Sequence, residues 1–224
     1  MAMEHRRISI FCGHYGSGKT NIAVSFALRL RETHARVSII DLDIVNPYFR
    51  TKDSKKELDA AGVELISSDY AGSNLDIPAL PAAMMRPIAE PDTQVVMDIG
   101  GDDQGAVALG RFADQLNAEG DYDMFFVLNL YRPLTQTAED ALGVMREIEA
   151  ACGLRFTAIV HNSNLGALTT LQDLLDKQPE AQKLCALSGL PLKLTTVRED
   201  LQPQAATLLP GVFGLRLQKQ LFQP

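Results

Sequence analysis

The sequence predicts a three-layer, doubly wound α/β fold built around a mainly parallel sheet, in a single domain covering residues 1–224. Three observations predict it. Short apolar runs alternate with stretches of helical periodicity, the order that right-handed βαβ crossovers need. The runs are continuously apolar, as in Val95–Ile99 (VVMDI) and Met124–Asn129 (MFFVLN), which suits strands covered on both faces. The first run also ends in a glycine-rich turn that leads directly into a helical pattern.

Taken in order, Ile8–Cys12 (ISIFC) reads as the first strand. In the helix that follows, Ile22, Phe26 and Leu30 recur every four residues, with Val24 and Leu28 on the adjacent face; so wide an apolar surface predicts burial. Val37–Ile40 is the second strand, ending at Asp41. Lys52–Ala61 reads as a short polar helix stopped by Gly62, and Val63–Ile66 as a further strand. From Ser67 to Glu90 the chain is rich in Pro, Ala and Ser, which predicts a loop and then a short helix. Gln104–Ala118 has helical character between the strands VVMDI and MFFVLN. Ala138, Ala141, Leu142, Met145 and Ile148 fall at helix spacing within Thr135–Cys152, with Gly153 as its C-cap. Phe156–Val160 is a strand, Leu168–Leu187 is mostly helical, and Leu192–Val197 is the expected last strand. No internal repeat, low-complexity tract or linker divides the chain.

Composition narrows the function. With 46% apolar residues the chain can bury a full core. Its net charge of -7 disfavours broad contact with nucleic acid, which needs clustered Lys and Arg against phosphates. Cys12, Cys152 and Cys185 are scattered, so neither a disulfide framework nor a zinc or iron–sulfur site within one chain is expected. No signal-peptide core and no run of about 20 apolar residues is present, so the expectation is a cytoplasmic protein. The tail VFGLRLQKQLF contains Gly214, and Phe213, Leu215 and Leu217 alternate as in a strand, which argues against a membrane-anchoring amphipathic helix.

Residues 13–20 read GHYGSGKT and satisfy G-x-x-x-x-G-K-S/T through Gly13, Gly18, Lys19 and Thr20. The motif sits between a strand and a helix, the context in which it forms a P-loop. Its backbone N–H groups (Gly13, His14, Tyr15, Gly16, Ser17 and Gly18, running on to Asn21) would cradle phosphates, helped by the positive end of the helix dipole. Lys19 would bridge the β- and γ-phosphates, and Thr20 would give its hydroxyl to Mg²⁺. Two further acidic positions are needed. Asp98, closing VVMD, is the candidate Mg²⁺ carboxylate, and Gly100 or Gly101 beyond it can donate a backbone N–H to the γ-phosphate, with Gly101 the candidate nucleotide contact. Asp102 and Asp103 read as N-cap or solvated loop residues. Asp43, entering the loop after Asp41, is the candidate for positioning the attacking water and for the Mg²⁺ shell, with Asp41 supporting the metal or the strand end. Asn46–Pro47 is a turn signal, and Tyr48, Phe49 and Arg50 beyond it suit either a switch that meets a partner or packing on the domain.

On these residues the chain resembles the MinD/ParA-like branch of P-loop NTPases, with a similarity running from Arg7 to about Val197. That branch includes the nitrogenase iron protein, Mrp-type scaffold ATPases, the arsenite-pump ATPase and CooC-type nickel-insertion ATPases. The resemblance follows the order of P-loop, D-x-D at Asp41 and Asp43, D-x-G-G at Asp98–Gly101, and a late base-binding loop. A bacterial group of CobQ/CobB/MinD/ParA nucleotide-binding proteins looks similar at GHYGSGKT, DLDIVNPYFR, DIGGDDQG and NLYRPLT. The resemblance implies P-loop NTPase topology, a Mg²⁺-dependent ATPase acting as a switch on a partner protein, and an ATP-dependent homodimer. It makes Asn162, in Val160–Asn164 (VHNSN), the adenine contact; no N-K-x-D pattern is present, which favours ATP over GTP.

Two departures from the branch matter. His14 stands where its members carry a lysine that reaches the partner's phosphates, and Tyr15 replaces a glycine. Neutral imidazole is a poor substitute for a fixed charge, and Arg50, Arg111 or Arg132 could take its place. The cluster- and nickel-binding cysteines are missing, so no iron–sulfur cluster is expected. Two other functions fit the same residues: a small-molecule kinase or ATP-dependent ligase of the dethiobiotin-synthetase type, and a non-hydrolysing ATP-binding interaction module.

Overall fold

The computed structural model describes residues 5–43, 51–67 and 82–216. The proposed switch residues Asn46–Arg50 and the tail from residue 217 onward lie outside the described residues. In chain order the elements are β1 (Ile8–Cys12), α1 (Lys19–Arg31), β2 (Val37–Leu42), a 3-10 turn (Thr51–Ser54), α2 (Lys55–Ala61), β3 (Glu64–Ser67), α3 (Ala82–Ala89), β4 (Gln94–Ile99), α4 (Asp103–Gly110), α5 (Ala113–Glu119) and β5 (Tyr122–Leu128). A 3-10 turn (Pro133–Thr135), α6 (Ala138–Cys152), β6 (Ala158–His161), a 3-10 turn (Gly166–Leu168), α7 (Leu171–Ser188), β7 (Leu192–Arg198), a 3-10 turn (Glu199–Leu201), α8 (Gln202–Ala205) and β8 (Val212–Leu215) complete them.

The eight strands form one sheet in the order β3-β2-β4-β1-β5-β6-β7-β8. Every pairing is parallel. After β1 the chain moves outward to β2 and β3, returns to β4, and then continues on the far side through β5 to β8. The direction of progress therefore reverses around β1. In open α/β sheets the crevice at such a reversal, beyond the carboxyl ends of the strands, is where ligands bind.

Period-two alternation sends the side chains of each buried strand to two separate cores. On one face Phe11, Ile39, Val96, Phe125, Val127 and Val160 pack with Ile22, Phe26 and Leu30 of α1 and Leu58 of α2. On the other, Ile10, Ile40, Met97, Ile99, Phe126 and Leu128 pack with Leu109, Leu116, Met145 and Leu184 from α4, α5, α6 and α7. This is the three-layer arrangement the continuous apolar runs predict. Phe26 joins the first core through Phe11, edge to face at 5.3 Å between ring centroids, and lies 6.5 Å from Phe125.

The helical character expected of Gln104–Ala118 is present as two helices, α4 ending at Gly110 and α5 starting at Ala113. The amides of Arg111 and Phe112 bond back to Ala108 and Leu109, tightening the turn so that Phe112 drops fully into the core. One expectation is corrected: β7 is not the last strand, because Val212–Leu215 adds β8 in parallel at its edge. Phe213 and Leu215 face the α1 core, which is what their alternation in the tail encodes.

His161, at the end of β6, is fully buried and its Nδ1 meets Gln178 Oε1 at 2.9 Å. Burial pulls its pKa from the ordinary 6.5 to about 4, against a smaller opposite effect of Gln178. Between those values the unfolded chain binds more protons than the folded one. Stability is therefore full above about 6.5 and falls as the pH drops toward 4, by up to about 1.4 kcal/mol per unit. Urea midpoints at pH 7 and 4.5 should show wild type losing about 2–3 kcal/mol more than His161→Asn; equal losses would remove His161 as the cause. Phe26→Ala should cost about 3–5 kcal/mol in the same assay.

Candidate functional site

The loop Gly13–Gly18 leaves β1 and hands the chain to α1, whose first residues are Lys19 and Thr20. It therefore lies at the carboxyl edge of the central strand. Its shape depends on glycine at Gly18, where φ is 90° and a Cβ would collide with the Asn162 side-chain nitrogen. Lys19 is 6% exposed and folds back across the loop to donate to the His14 carbonyl at 3.2 Å.

Parallel pairing in register carries the acidic residues to the same edge. Phe11 lies beside Asp98, and Asp98 beside Asp41, so the ends of β1, β4 and β2 line up. Asp98 is fully buried; its Oδ2 accepts from Thr51 Oγ1 at 2.8 Å, and the Thr20 hydroxyl lies near enough to favour its charged form. Its Oδ1 has no partner among the described residues, and neither does Ser17 Oγ in the loop. Burial pushes the Asp98 carboxyl well above the usual range, opposed by the Lys19 ammonium and the two hydroxyls. Burial likewise lowers the Lys19 pKa, opposed mainly by Asp98 and then Asp43.

Asp43 follows β2 and is buried, its amide donating to Asp41 Oδ1 at 3.0 Å. A Cβ on Gly100 would stand 3.4 Å from Asp43 Oδ1, so the loops after β2 and β4 touch. Gly101 is pressed closer: a Cβ there would lie 2.6 Å from the Tyr15 Cα and 2.8 Å from Lys19 Nζ. No larger residue fits between this loop and the amine. Asp102 is the N-cap of α4, accepting from the Gly105 amide at 2.9 Å, the structural role its sequence position suggests.

The loop after β6 closes the other side. Asn162 is buried, with Nδ2 donating to the Ser17 carbonyl at 2.6 Å and Oδ1 accepting from Thr196 at 2.5 Å. Gly18, Asn21, Asn162, Thr196 and Arg198 line a small cavity there. A larger cavity of about 360 Å³ opens on the opposite side of the loop, lined by His14, Tyr15, Asp43, Gly101, Leu134 and Glu147.

Of the three candidate arginines, Arg50 lies outside the described residues. Arg111 caps the far end of α4, a helix length of about 12 Å from its start. Arg132 lies on the loop itself, its Nε donating to the Gly16 carbonyl at 2.8 Å. The sequence reading missed Thr51, which opens a 3-10 turn and belongs to no motif.

The residues fit a phosphate-bound magnesium ion. A hydroxyl, a buried carboxylate oxygen without a partner, a second carboxylate and an amine converge at a helix N-terminus. Among the described residues no group of three or more His, Cys, Asp or Glu could hold a metal alone. That is compatible with Mg²⁺, which keeps waters and takes phosphate oxygens, with few ligands from protein. No described helix is long and apolar enough to cross a membrane. Thr51→Val keeps the shape but strips a buried carboxylate of a hydrogen bond. It should lower stability by about 1–3 kcal/mol, read as a urea midpoint; an unchanged midpoint would show that the bond contributes nothing.

No protein-family model matches the chain, and no curated protein matches it in sequence. Solved structures do match in fold. The cell division protein FtsY from Thermotoga maritima superposes with a TM-score of 0.60 at 15% identity, over 88% of this chain and 63% of its own. The signal recognition particle 54 kDa protein from Aeropyrum pernix K1, in complex with GDP, gives 0.55 at 17% identity, over 86% and 41%. FlhF complexed with GTP/Mg(2+) gives 0.55 at 14%, over 88% and 67%. This chain thus spans less than two thirds of the length of the first two, and its fold is the α/β fold that these P-loop proteins share.

Proposed function

We propose that this protein binds a nucleoside triphosphate with Mg²⁺ at the Gly13–Thr20 loop and hydrolyses it, using the cycle as a switch on a partner protein. The observation that carries the reading is Asp98. A fully buried carboxylate with one oxygen lacking a partner among the described residues, within the electrostatic reach of a buried Lys19, is costly unless a cation and phosphates complete it. Lys19 is free to exchange the His14 carbonyl for phosphate oxygens and to stabilise charge that develops on them. Thr20 and Asp98, with Asp43 beside them, would hold the metal, which supplies Lewis-acid neutralisation of the phosphates. Asp43 would orient the attacking water, and the Gly101 amide, pressed against Tyr15 and Lys19, would report the terminal phosphate to the segment leading into α4.

The nucleotide in this reading is ATP. The fold neighbours include complexes with GDP and GTP, but the loop after β6 here reads NSNL and lacks N-K-x-D. Its cavity, with Asn162 and Asn21, would take the base. Membership of the MinD/ParA-like branch, a nucleotide-dependent homodimer and a cytoplasmic location belong to the same proposal, supported by the motif order. A second reading has one observation in its favour. The cavity of about 360 Å³ beside Asp43 has the size of a small-molecule site, so a metabolite could receive the phosphoryl group there.

Phosphate release from ATP and from GTP, with and without Mg²⁺, should show Mg²⁺-dependent turnover that Lys19→Ala lowers by about 100-fold or more. Equal rates in the two proteins would refute the site. Tight binding without phosphate release would replace hydrolysis by an interaction module. ADP formation that starts only when a metabolite is added would favour the kinase reading.

A further inference from the structure

We infer that Arg132 is a binding residue for the terminal phosphate of the ligand held by the Gly13–Thr20 loop, acting within the same chain. The inference rests on the nucleotide reading above. The loop has two distinguishable ends. Gly18 and Asn21 line the cavity shared with Asn162, whereas His14 and Tyr15 line the cavity shared with Asp43 and Gly101. A triphosphate laid along the loop with its base at the Asn162 end points its last phosphate toward the Tyr15–Gly16 end. Arg132 stands at that end: a Cβ on Gly16 would lie 3.1 Å from Arg132 Nε and 3.2 Å from its guanidinium carbon.

Its chemistry suits that role. The Nε–H is used on the Gly16 carbonyl, and among the described residues that is the side chain's one acceptor and no carboxylate pairs with it. The two terminal nitrogens, with four N–H groups in a planar fork, remain for an anion. The backbone holding it is fixed from both directions. The Arg132 amide donates to the Asn129 carbonyl at 3.1 Å, and the Thr135 amide to the Arg132 carbonyl at 3.0 Å. Thr135 Oγ1 also donates to the Asn129 carbonyl, at 2.7 Å, while Asn129 Oδ1 accepts from the Tyr131 and Asn164 amides. Pro133 follows at the start of its 3-10 turn. An arginine delivered by so constrained a turn loses little freedom on binding. The need for it is electrostatic: Asp43, Asp98 and Asp102 all act on Lys19, so one lysine faces three carboxylates before any phosphate arrives.

A bland alternative is that Arg132 only pins the loop, and the two roles separate by experiment. Equilibrium titrations of Mg-ATP and Mg-ADP would be compared for wild type, Arg132→Gln and Arg132→Lys, with melting temperatures recorded alongside. Arg132→Gln should lose about tenfold or more in triphosphate affinity while the diphosphate changes by about twofold or less, and Arg132→Lys should fall between. Equal losses for both nucleotides, or no loss for either, would overturn the inference. Wild type that binds neither Mg-ATP nor Mg-ADP would instead overturn the nucleotide reading on which it rests.

Discussion

The interior of this protein buries an ammonium and a carboxylate near enough to feel each other's charge at the carboxyl edge of its central strands. Lys19 and Asp98 are both removed from water, and burial pushes each toward its neutral form while the other opposes it. Such a pair adds little net stability in most folds, because desolvation offsets the attraction. Here it is also incomplete, since Asp98 Oδ1 meets no donor among the described residues. The surroundings are arranged to tolerate this. Hydroxyls of Thr20 and Thr51 supply part of the missing solvation, and the helix N-terminus behind Lys19 leaves amides turned toward the same space. A site that withholds full satisfaction from its own charges is pre-organised for a ligand that brings a cation and anionic oxygens together.

The sheet order makes this possible. The strands nearest β1 place residues within reach of the loop that follows it, and β4, between β1 and β2, delivers Asp98. β5, on the other side, ends in the Asn129–Thr135 turn that lays Arg132 over Gly16. β6, one strand further, ends at Asn162, which tethers the Ser17 carbonyl and Thr196. The loop is thus gripped from three strand ends while its centre stays open. The two cores hold these strand ends in register, which is why their packing and the geometry of the site are one problem.

Much of this was readable from local sequence. The strand–loop–helix at residues 8–31, the carboxylate closing β4 and the asparagine loop after β6 each combine a motif with the periodicity that positions it. What was not readable depends on distant contacts. Thr51 lies 47 residues from Asp98 and carries no pattern that names it. That Arg132 meets the Gly16 carbonyl was likewise not readable, because the contact depends on β5 lying beside β1. The break between α4 and α5 falls after Gly110, where Phe112 turns into the core. The alternation of Phe213 and Leu215 hinted at a strand, but its place in the sheet was not readable, because a four-residue edge strand is defined only by β7 pairing with it.

The central claim is that the buried Lys19–Asp98 pair is one half of a magnesium–triphosphate site. A crystal structure grown with Mg²⁺ and a non-hydrolysable ATP analogue tests it most directly. The account predicts phosphates along Gly13–Thr20, a cation between Thr20 and Asp98, and Lys19 Nζ moved from the His14 carbonyl to phosphate oxygen. Nucleotide density elsewhere, or a loop without phosphate and Lys19 still on His14, would contradict it.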